Sequence, residues 1–275
     1  MQFVDKALAR RFESAEEMPQ VEYARYYARK RPEIGAEVEP ICGGHMIFAG
    51  LNSPIGRAVG LGFNGPVTAT DLDRLEHFYR AHGAPAQLDY CPLSDPSLLE
   101  LTKERHYGIA ELNNVHYLRI ADQANAQTGS PAPPPGVEIR RGTKEEAAVL
   151  SSIVSRSFFE NGNVPEGFGD LITPMYEFPG AITYLAVVNG EAVAAAAGLV
   201  IPEHRILALF GAGTLPPFRG RGMQTALLRT RIRAAAAAGC EYAVIVTLGG
   251  TTSERNAARI GFQCAYSKAT LIRTL

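Results

Sequence analysis

Between Pro216 and Leu228 the chain reads Pro-Pro-Phe-Arg-Gly-Arg-Gly-Met-Gln-Thr-Ala-Leu-Leu, and few folds accommodate such a stretch. An apolar run of strand length, Ile206 to Phe210, leads into it. Met223 to Ala238, rich in Ala and Leu with Arg229, Arg231 and Arg233 interspersed, follows it as a helix. The order is therefore strand, glycine turn, helix. Gly220 and Gly222 have no Cβ, so the backbone can turn tightly there and a ligand can approach it. The first N–H groups of the helix lack intrahelical acceptors and suit a phosphate. Arg219 and Arg221 add positive charge at the same place. Taken alone, these residues also fit a plain strand-to-helix turn with solvated arginines.

A chain of 275 residues suffices for two domains of ordinary size with cores that need no staples. Its net charge of −1, with both signs mixed, gives no basic field, so small molecules are expected as partners and nucleic acid is not. Cys42, Cys91, Cys240 and Cys264 show no CxxC or Cys/His spacing, which supports neither a disulfide framework nor a metal site. The N-terminus lacks the apolar core of a signal peptide and no stretch reaches about 18 apolar residues, so a cytoplasmic protein without membrane association is expected. Composition does not set the oligomeric state.

Along the chain, residues 3–31 carry helical spacing interrupted by Pro19, which predicts two short helices. Val38 to Cys42, His45 to Leu51 and Arg57 to Phe63 are strand-like and punctuated by glycine, as in an antiparallel meander. A helix from Asp71 to His82, a strand from Gln87 to Leu93, a helix from Asp95 to Glu104 and a strand from Val115 to Ile120 complete the first half. Residues 121–136 hold four prolines and no apolar periodicity, the composition of a semi-extended linker. The expected division is residues 1–121, a linker at 122–136, and residues 137–275. In the last segment a strand, Val137 to Arg141, precedes Thr143-Lys144-Glu145-Glu146, a capping box that opens a helix to Phe159. Asn189-Gly190 makes a hairpin of Ile182–Val188 and Glu191–Val200, and Ile206 to Thr214 extends it. Strand Tyr242 to Leu248, helix Ser253 to Ile260 and a closing strand from Cys264 to Ile272 follow the long helix.

Arg219-Gly220-Arg221-Gly222, with Pro216 before it and Ala226-Leu227-Leu228 after it, resembles the acetyl-CoA pyrophosphate loop of the GNAT superfamily of N-acetyltransferases. Arg219 and Gly222 match the family pattern, whereas Gln224 replaces its last small residue. The element order of residues 137–275 is similar to that of a GNAT domain, and Ser253 to Phe262 looks like the family's last helix ending in Gly261-Phe262. The resemblance implies an α+β (mixed α/β), GNAT-like fold with a mostly antiparallel central sheet flanked by helices. It implies acetyl-CoA as co-substrate, with its pyrophosphate on the N–H groups of Arg219, Gly220, Arg221, Gly222, Met223, Gln224 and Thr225. Its pantetheine would lie along Gly213, Thr214 and Leu215, with Ser253 and Asn256 as further contacts. The implied reaction is acetyl transfer to the primary amine of a small molecule or amino-acid-like acceptor. The contrasting reading is a non-catalytic acyl-CoA-binding or regulatory module.

At an offset of 153 residues, which relates Gly108 to Gly261, the two halves share an order of elements. The first half then resembles a degenerate GNAT domain, because Pro66 to Asp71 stands where the glycine loop would be. Gly60-Leu61-Gly62-Phe63-Asn64-Gly65 spells GxGxxG, but Pro66 follows it directly and the helix begins only later, so a dinucleotide site is rejected. The catalytic groups are not assigned. Ile206 to Gly213 has no acid or His, and Ala257 stands where many family members have a Tyr as thiolate acid. Glu203, His204 and Tyr266 are weighed as acid–base groups, with solvated-loop and core roles favoured. Glu160, Glu166 and Asp170 are weighed as amine-binding carboxylates against a solvated loop.

Overall fold

A computed structural model of the chain describes residues 2–51, 53–122, 133–159 and 163–273. Packing divides it into two units. The first comprises Met1–Tyr117, Val246–Arg255 and Gln263–Leu275, the second Leu118–Ile245 and Asn256–Phe262. The last strand thus packs with the first half, so the units differ from the linear segments 1–121 and 137–275. Most of the expected linker lies outside the described residues.

The first unit opens with α1 (Lys6–Lys30), capped by the Asp5 side chain, which accepts from Leu8 N at 2.8 Å. Two helices were expected, broken at Pro19. One forms, because Pro19 is buried on the same side of the helix as Phe12, Ala15, Tyr23 and Tyr27, and that burial offsets the roughly 3 kcal/mol cost of an interior proline. β1 (Glu37–Ile41) and β2 (Gly44–Phe48) form a hairpin through Cys42 and Gly43, both at positive φ. The third strand of the expected meander reduces to single bridges, His45 to Val59 and Ala58 to Leu88. α2 (Ala69–Ala81) starts with a Thr68/Asp71 capping box, β3 (Ala86–Tyr90) follows, and α3 (Ser97–Glu104) leads to β4 (Gly108–Arg119). β4 begins well before Val115, because residues 108–112 are exposed and carry no alternation to mark them.

β10 (Gln263–Arg273) lies between β3 and β4, antiparallel to both. It carries Lys268 into the core of this unit. The ammonium lies 2.5 Å from Glu16 Oε2, 2.9 Å from Asp89 Oδ2 and 3.3 Å from Glu13 Oε2. Arg57 pairs with Asp89 at 3.0 Å and with Glu16, and Tyr266 donates to Glu13 Oε1 at 2.8 Å.

In the second unit β5 (Val137–Arg141), β6 (Ala181–Val188), β7 (Glu191–Ile201), β8 (Ile206–Thr214) and β9 (Tyr242–Leu248) form the sheet. Pairing is antiparallel from β5 to β8 and parallel between β8 and β9. Asn189 and Gly190 both adopt positive φ, the turn expected of Asn-Gly. The Thr143/Glu146 capping box forms over one turn of 3-10 helix before α4 (Ala147–Phe158), and Glu146 also holds Arg140 with both carboxylate oxygens. α4, α5 (Phe168–Ile172) and α6 (Pro174–Glu177) cover one face of the sheet through Leu150, Val154, Ile172 and Tyr176, against Leu185 and Ala195. α7 (Met223–Ala237) covers the other through Leu227, Leu228, Ile232 and Ala235, against Tyr184, Ala194 and Leu207. α8 (Thr252–Ile260) adds Ala257 and Ile260 to that second face.

Among the described residues no helix is long and apolar enough to cross a membrane, and no group of His, Cys, Asp and Glu is arranged to hold a metal ion.

Candidate functional site

The site is built where β8 ends. β8 carries one extra residue against β7. Ala195 pairs with Gly213 and Ala197 with Phe210, so Gly211 and Ala212 together face Ala196. Gly211 sits at φ +53°, and a Cβ there would lie 3.0 Å from Met175 Sδ and 3.1 Å from the Tyr176 hydroxyl. That hydroxyl donates to Gly211 O at 3.2 Å. On the other edge, parallel pairing with β9 runs from Ile206/Tyr242 to Leu209/Ile245, while β8 continues to Thr214. Peptide groups beyond Leu209 on that edge therefore have no ladder partner from β9 and can bind an extended, amide-bearing chain as an added strand would.

After Leu215 a single 3-10 turn, Pro216–Phe218, carries the chain to Arg219, and the two prolines remove two backbone donors. Gly220 at φ +74° and Gly222 at φ +79° then make the turn into α7. A Cβ on Gly220 would meet nothing within 4 Å, so glycine is required there for its conformation and not for space. Gly222 caps α7 without any side-chain hydrogen bond. The first intrahelical bond runs from Ala226 N to Gly222 O at 3.0 Å, so the N–H groups of Met223, Gln224 and Thr225 precede it and point out of the helix end. Three such donors stand together at the positive end of a 15-residue helix, an arrangement that favours negative charge.

The individual residues divide this work unevenly. The backbone N–H of Arg219 closes on Pro216 O at 3.2 Å. Its guanidinium donates to Ser157 O at 2.6 Å and Thr214 O at 3.3 Å, tying the end of α4 to the end of β8. Arg221 is exposed, with its guanidinium carbon 5.3 Å from the centre of the Phe218 ring. Gln224, in the place of a small residue, donates from Nε2 to Thr214 Oγ1 at 3.2 Å. The side chains of Met223 and Leu215 are buried in the two cores. Leu215 N–H donates to Val193 O at 3.0 Å and its carbonyl accepts from Phe218 N at 2.9 Å, so of these two residues Met223 keeps a backbone N–H for a ligand and Leu215, expected beside the pantetheine, does not. At Gly213 an added Cβ would fall 2.0 Å from Ser157 Oγ, so this glycine permits the close approach of α4. Ser253 is exposed in the part of α8 that belongs to the first unit, and Asn256 is half-buried in the part that belongs to the second.

No acid or His lies on β8, and Ala257 is fully buried. Glu203 and His204 form a 3-10 turn at the opposite end of β8 from Thr214, about 25 Å away at the rise of a strand. Tyr266 is buried in the first unit and bonded to Glu13. Glu166 is exposed on the segment leading into α5, Asp170 is exposed within α5, and Glu160 lies outside the described residues. In the GxGxxG run, Gly60 and Gly62 have positive φ, and α2 begins only at Ala69, so the run does not open directly into a helix as a dinucleotide loop does. Sequence reasoning missed Tyr176 and Arg231. Arg231 falls on the buried stripe Leu227, Arg231, Ala235, a spacing of four that could have drawn attention to it.

A mixed sheet whose strand bulges, loses its parallel partner and passes through a glycine turn into a helix N-terminus defines the GNAT class of fold. Residues 150–262 match the sequence model of the Acetyltransferase (GNAT) family. Among solved structures, a GCN5-related N-acetyltransferase from Kribbella flavida superposes with a TM-score of 0.65 at 16% identity, covering 92% of this chain and 95% of that one. A functionally unknown conserved protein from Staphylococcus epidermidis gives 0.58 at 12% identity, over 87% and 94%. A tandem GNAT protein from the clavulanic acid biosynthesis pathway gives 0.54 at 14% identity, over 74% and 68%. No curated protein sequence matches the chain.

Proposed function

We propose that the second unit binds acetyl-CoA and transfers its acetyl group to the primary amine of a small molecule or amino-acid-like acceptor. One observation carries this reading: the uncapped N-terminus of α7, with its glycine turn, follows directly on a strand edge that has parted from its neighbour. A pyrophosphate suits the first and a pantetheine arm the second. The donors assigned to the phosphates are the N–H groups of Gly220 to Thr225, with Arg221 for charge, while the Arg219 side chain holds the loop in place. In the transfer the neutral amine forms a bond to the thioester carbonyl carbon, the C–S bond breaks, and the thiolate leaves with its electron pair. The nitrogen's surplus proton passes to the thiolate directly or through water. The first half is assigned as a degenerate GNAT-like domain, since α2 starts with a Thr68/Asp71 box in place of a glycine loop. Asp71 puts a carboxylate where the loop would take a phosphate.

A non-catalytic acyl-CoA-binding role is favoured by a specific observation, the absence of an acid from β8 together with the buried Ala257. Titration with acetyl-CoA, CoA and NADH, repeated on Gly222→Asp, tests the cofactor site. Micromolar CoA binding that the variant loses supports it, and NADH binding in place of CoA would overturn it. Thiol release with a panel of primary amines then separates catalysis from binding.

A further inference from the structure

Among the described residues Arg231 is the largest side chain fully removed from water, 1% exposed in the middle of α7. Its Nη1 donates to Ala197 O at 2.6 Å and its Nε to Leu227 O at 3.2 Å. Desolvation pushes its pKa down to about 9, and the ionisable groups that act on it are Tyr176 and Tyr184, with no carboxylate among them. It remains a cation at neutral pH, solvated by carbonyl oxygens alone. A leucine or methionine on the same helix stripe would fill the space without the desolvation penalty, so packing does not account for a guanidinium here.

Its position accounts for it. Ala197 pairs with Phe210, immediately beside the extra residue of β8. From the opposite face of the sheet Tyr176, itself buried, donates to Gly211 O within the same irregularity. Two buried donors, one from each face, thus fix the carbonyl groups on either strand of the bulge. The bulge in turn sets where the peptide groups from Phe210 to Thr214 point.

We propose that Arg231 is a positioning residue for acyl transfer: by holding Ala197 O from beneath the sheet it fixes the β7–β8 bulge, and so aims the β8 peptide groups that receive the thioester. This inference rests on the reading of the second unit as an acetyl-CoA-dependent transferase. Arg231 touches no reacting atom and acts through the strand. Its removal should therefore alter the chemical step, not the binding of phosphates at the start of α7, about two turns of helix before it.

The test compares the full-length protein with Arg231→Met, Arg231→Gln and Arg231→Lys. In Arg231→Met, amide hydrogen exchange across residues 207–215 should speed up about tenfold or more, while the first turns of α7 keep wild-type protection. Affinity for free CoA should stay within about threefold. With an amine that the wild type acetylates, kcat should fall about a hundredfold at nearly unchanged KM for acetyl-CoA, and Arg231→Lys should recover part of it. Should the Met variant not fold, Arg231→Gln is read in its place. Unchanged exchange at residues 207–215 overturns the positioning role whether or not any amine is turned over. So does a kcat within twofold of wild type, or an equal loss of free CoA binding. If the wild type binds no CoA, the transferase reading fails, and the exchange result still decides whether Arg231 holds the bulge.

Discussion

Lys268 Nζ lies 2.9 Å from Asp89 Oδ2, and both side chains are fully buried. The lysine comes from the last strand and the aspartate from β3, with Glu13 and Glu16 of α1 completing the cage. A charge taken out of water is tolerated only when its partners are in place, so this cluster fixes which strands β10 joins. A slip of one residue would turn Lys268 to the other face of the sheet.

Replacing Lys268 with Met leaves three carboxylates around an apolar side chain, with Arg57 their remaining cation. The expected cost is about 3–5 kcal/mol, the range for breaking a buried pair from one side. Urea unfolding at pH 7 measures it, and a loss below about 1 kcal/mol would show that the cage does not anchor β10.

Acid stability follows from the same cluster. Burial works to raise the Asp89 carboxyl, but Arg57 and Lys268 outweigh it and hold its pKa near 2, below the ordinary 3.8. A carboxyl with a depressed folded pKa contributes stability that is present above its unfolded value and lost as pH falls through the folded one. Stability should therefore drop between about pH 4 and pH 2, and Asp89→Asn should flatten that drop while lowering stability at pH 7. Glu13 has the opposite sign, since burial raises its pKa above 4.5 against the pull of Lys268. Its contribution is present below 4.5 and lost as pH rises through its folded value, so Glu13→Gln is expected to match or exceed wild-type stability at pH 7. Chemical denaturation at a series of pH values distinguishes the two carboxyls, and equal effects of both substitutions would contradict the assignment.

Gly213→Ala should destabilise the second unit by about 1–3 kcal/mol, because the new methyl would meet Ser157 Oγ at 2.0 Å and Ser157 Cβ at 2.8 Å. Ser157→Gly should relieve it more than Ser157→Ala, since only the former removes both atoms. A double-mutant cycle that shows no coupling would mean that α4 and β8 do not press on each other there.

The two loop arginines should separate cleanly. Arg219→Ala removes hydrogen bonds to Ser157 O and Thr214 O and should lower stability by about 1.5–3 kcal/mol. Arg221→Ala, at an exposed stacking position, should leave stability within about 0.5 kcal/mol and weaken CoA binding in a salt-dependent way. Thermal unfolding and titration at two salt concentrations check both. A stability loss confined to Arg221→Ala would reverse the two roles.

Much of this architecture is legible locally. The Thr143/Glu146 box, the Asn189-Gly190 hairpin and the glycine turn at 220–222 each form where the residue types require them, because each is decided by contacts within a few positions. Pro19 misled, since the rule that proline breaks a helix takes no account of how deeply that helix is buried. The third strand of the meander misled for a related reason. Residues 57–63 alternate as a strand does, yet they find only single bridges to His45 and Leu88. Arg219 was read for its charge, but its side chain is held by two backbone carbonyls that no local pattern announces.

The sequence by itself determined the strand, the glycine turn and the helix N-terminus, because backbone conformation at Gly220 and Gly222 and the free N–H groups that follow depend on neighbouring residues alone. It also determined that this stretch resembles an acetyl-CoA loop. Only the tertiary structure decided that β10 joins β3 and β4, that Lys268 closes a buried cage, and that Arg231 reaches the bulge of β8. Those outcomes depend on groups 34 to 255 residues apart in the chain meeting where water is excluded, and the energy of such meetings leaves no trace in local periodicity.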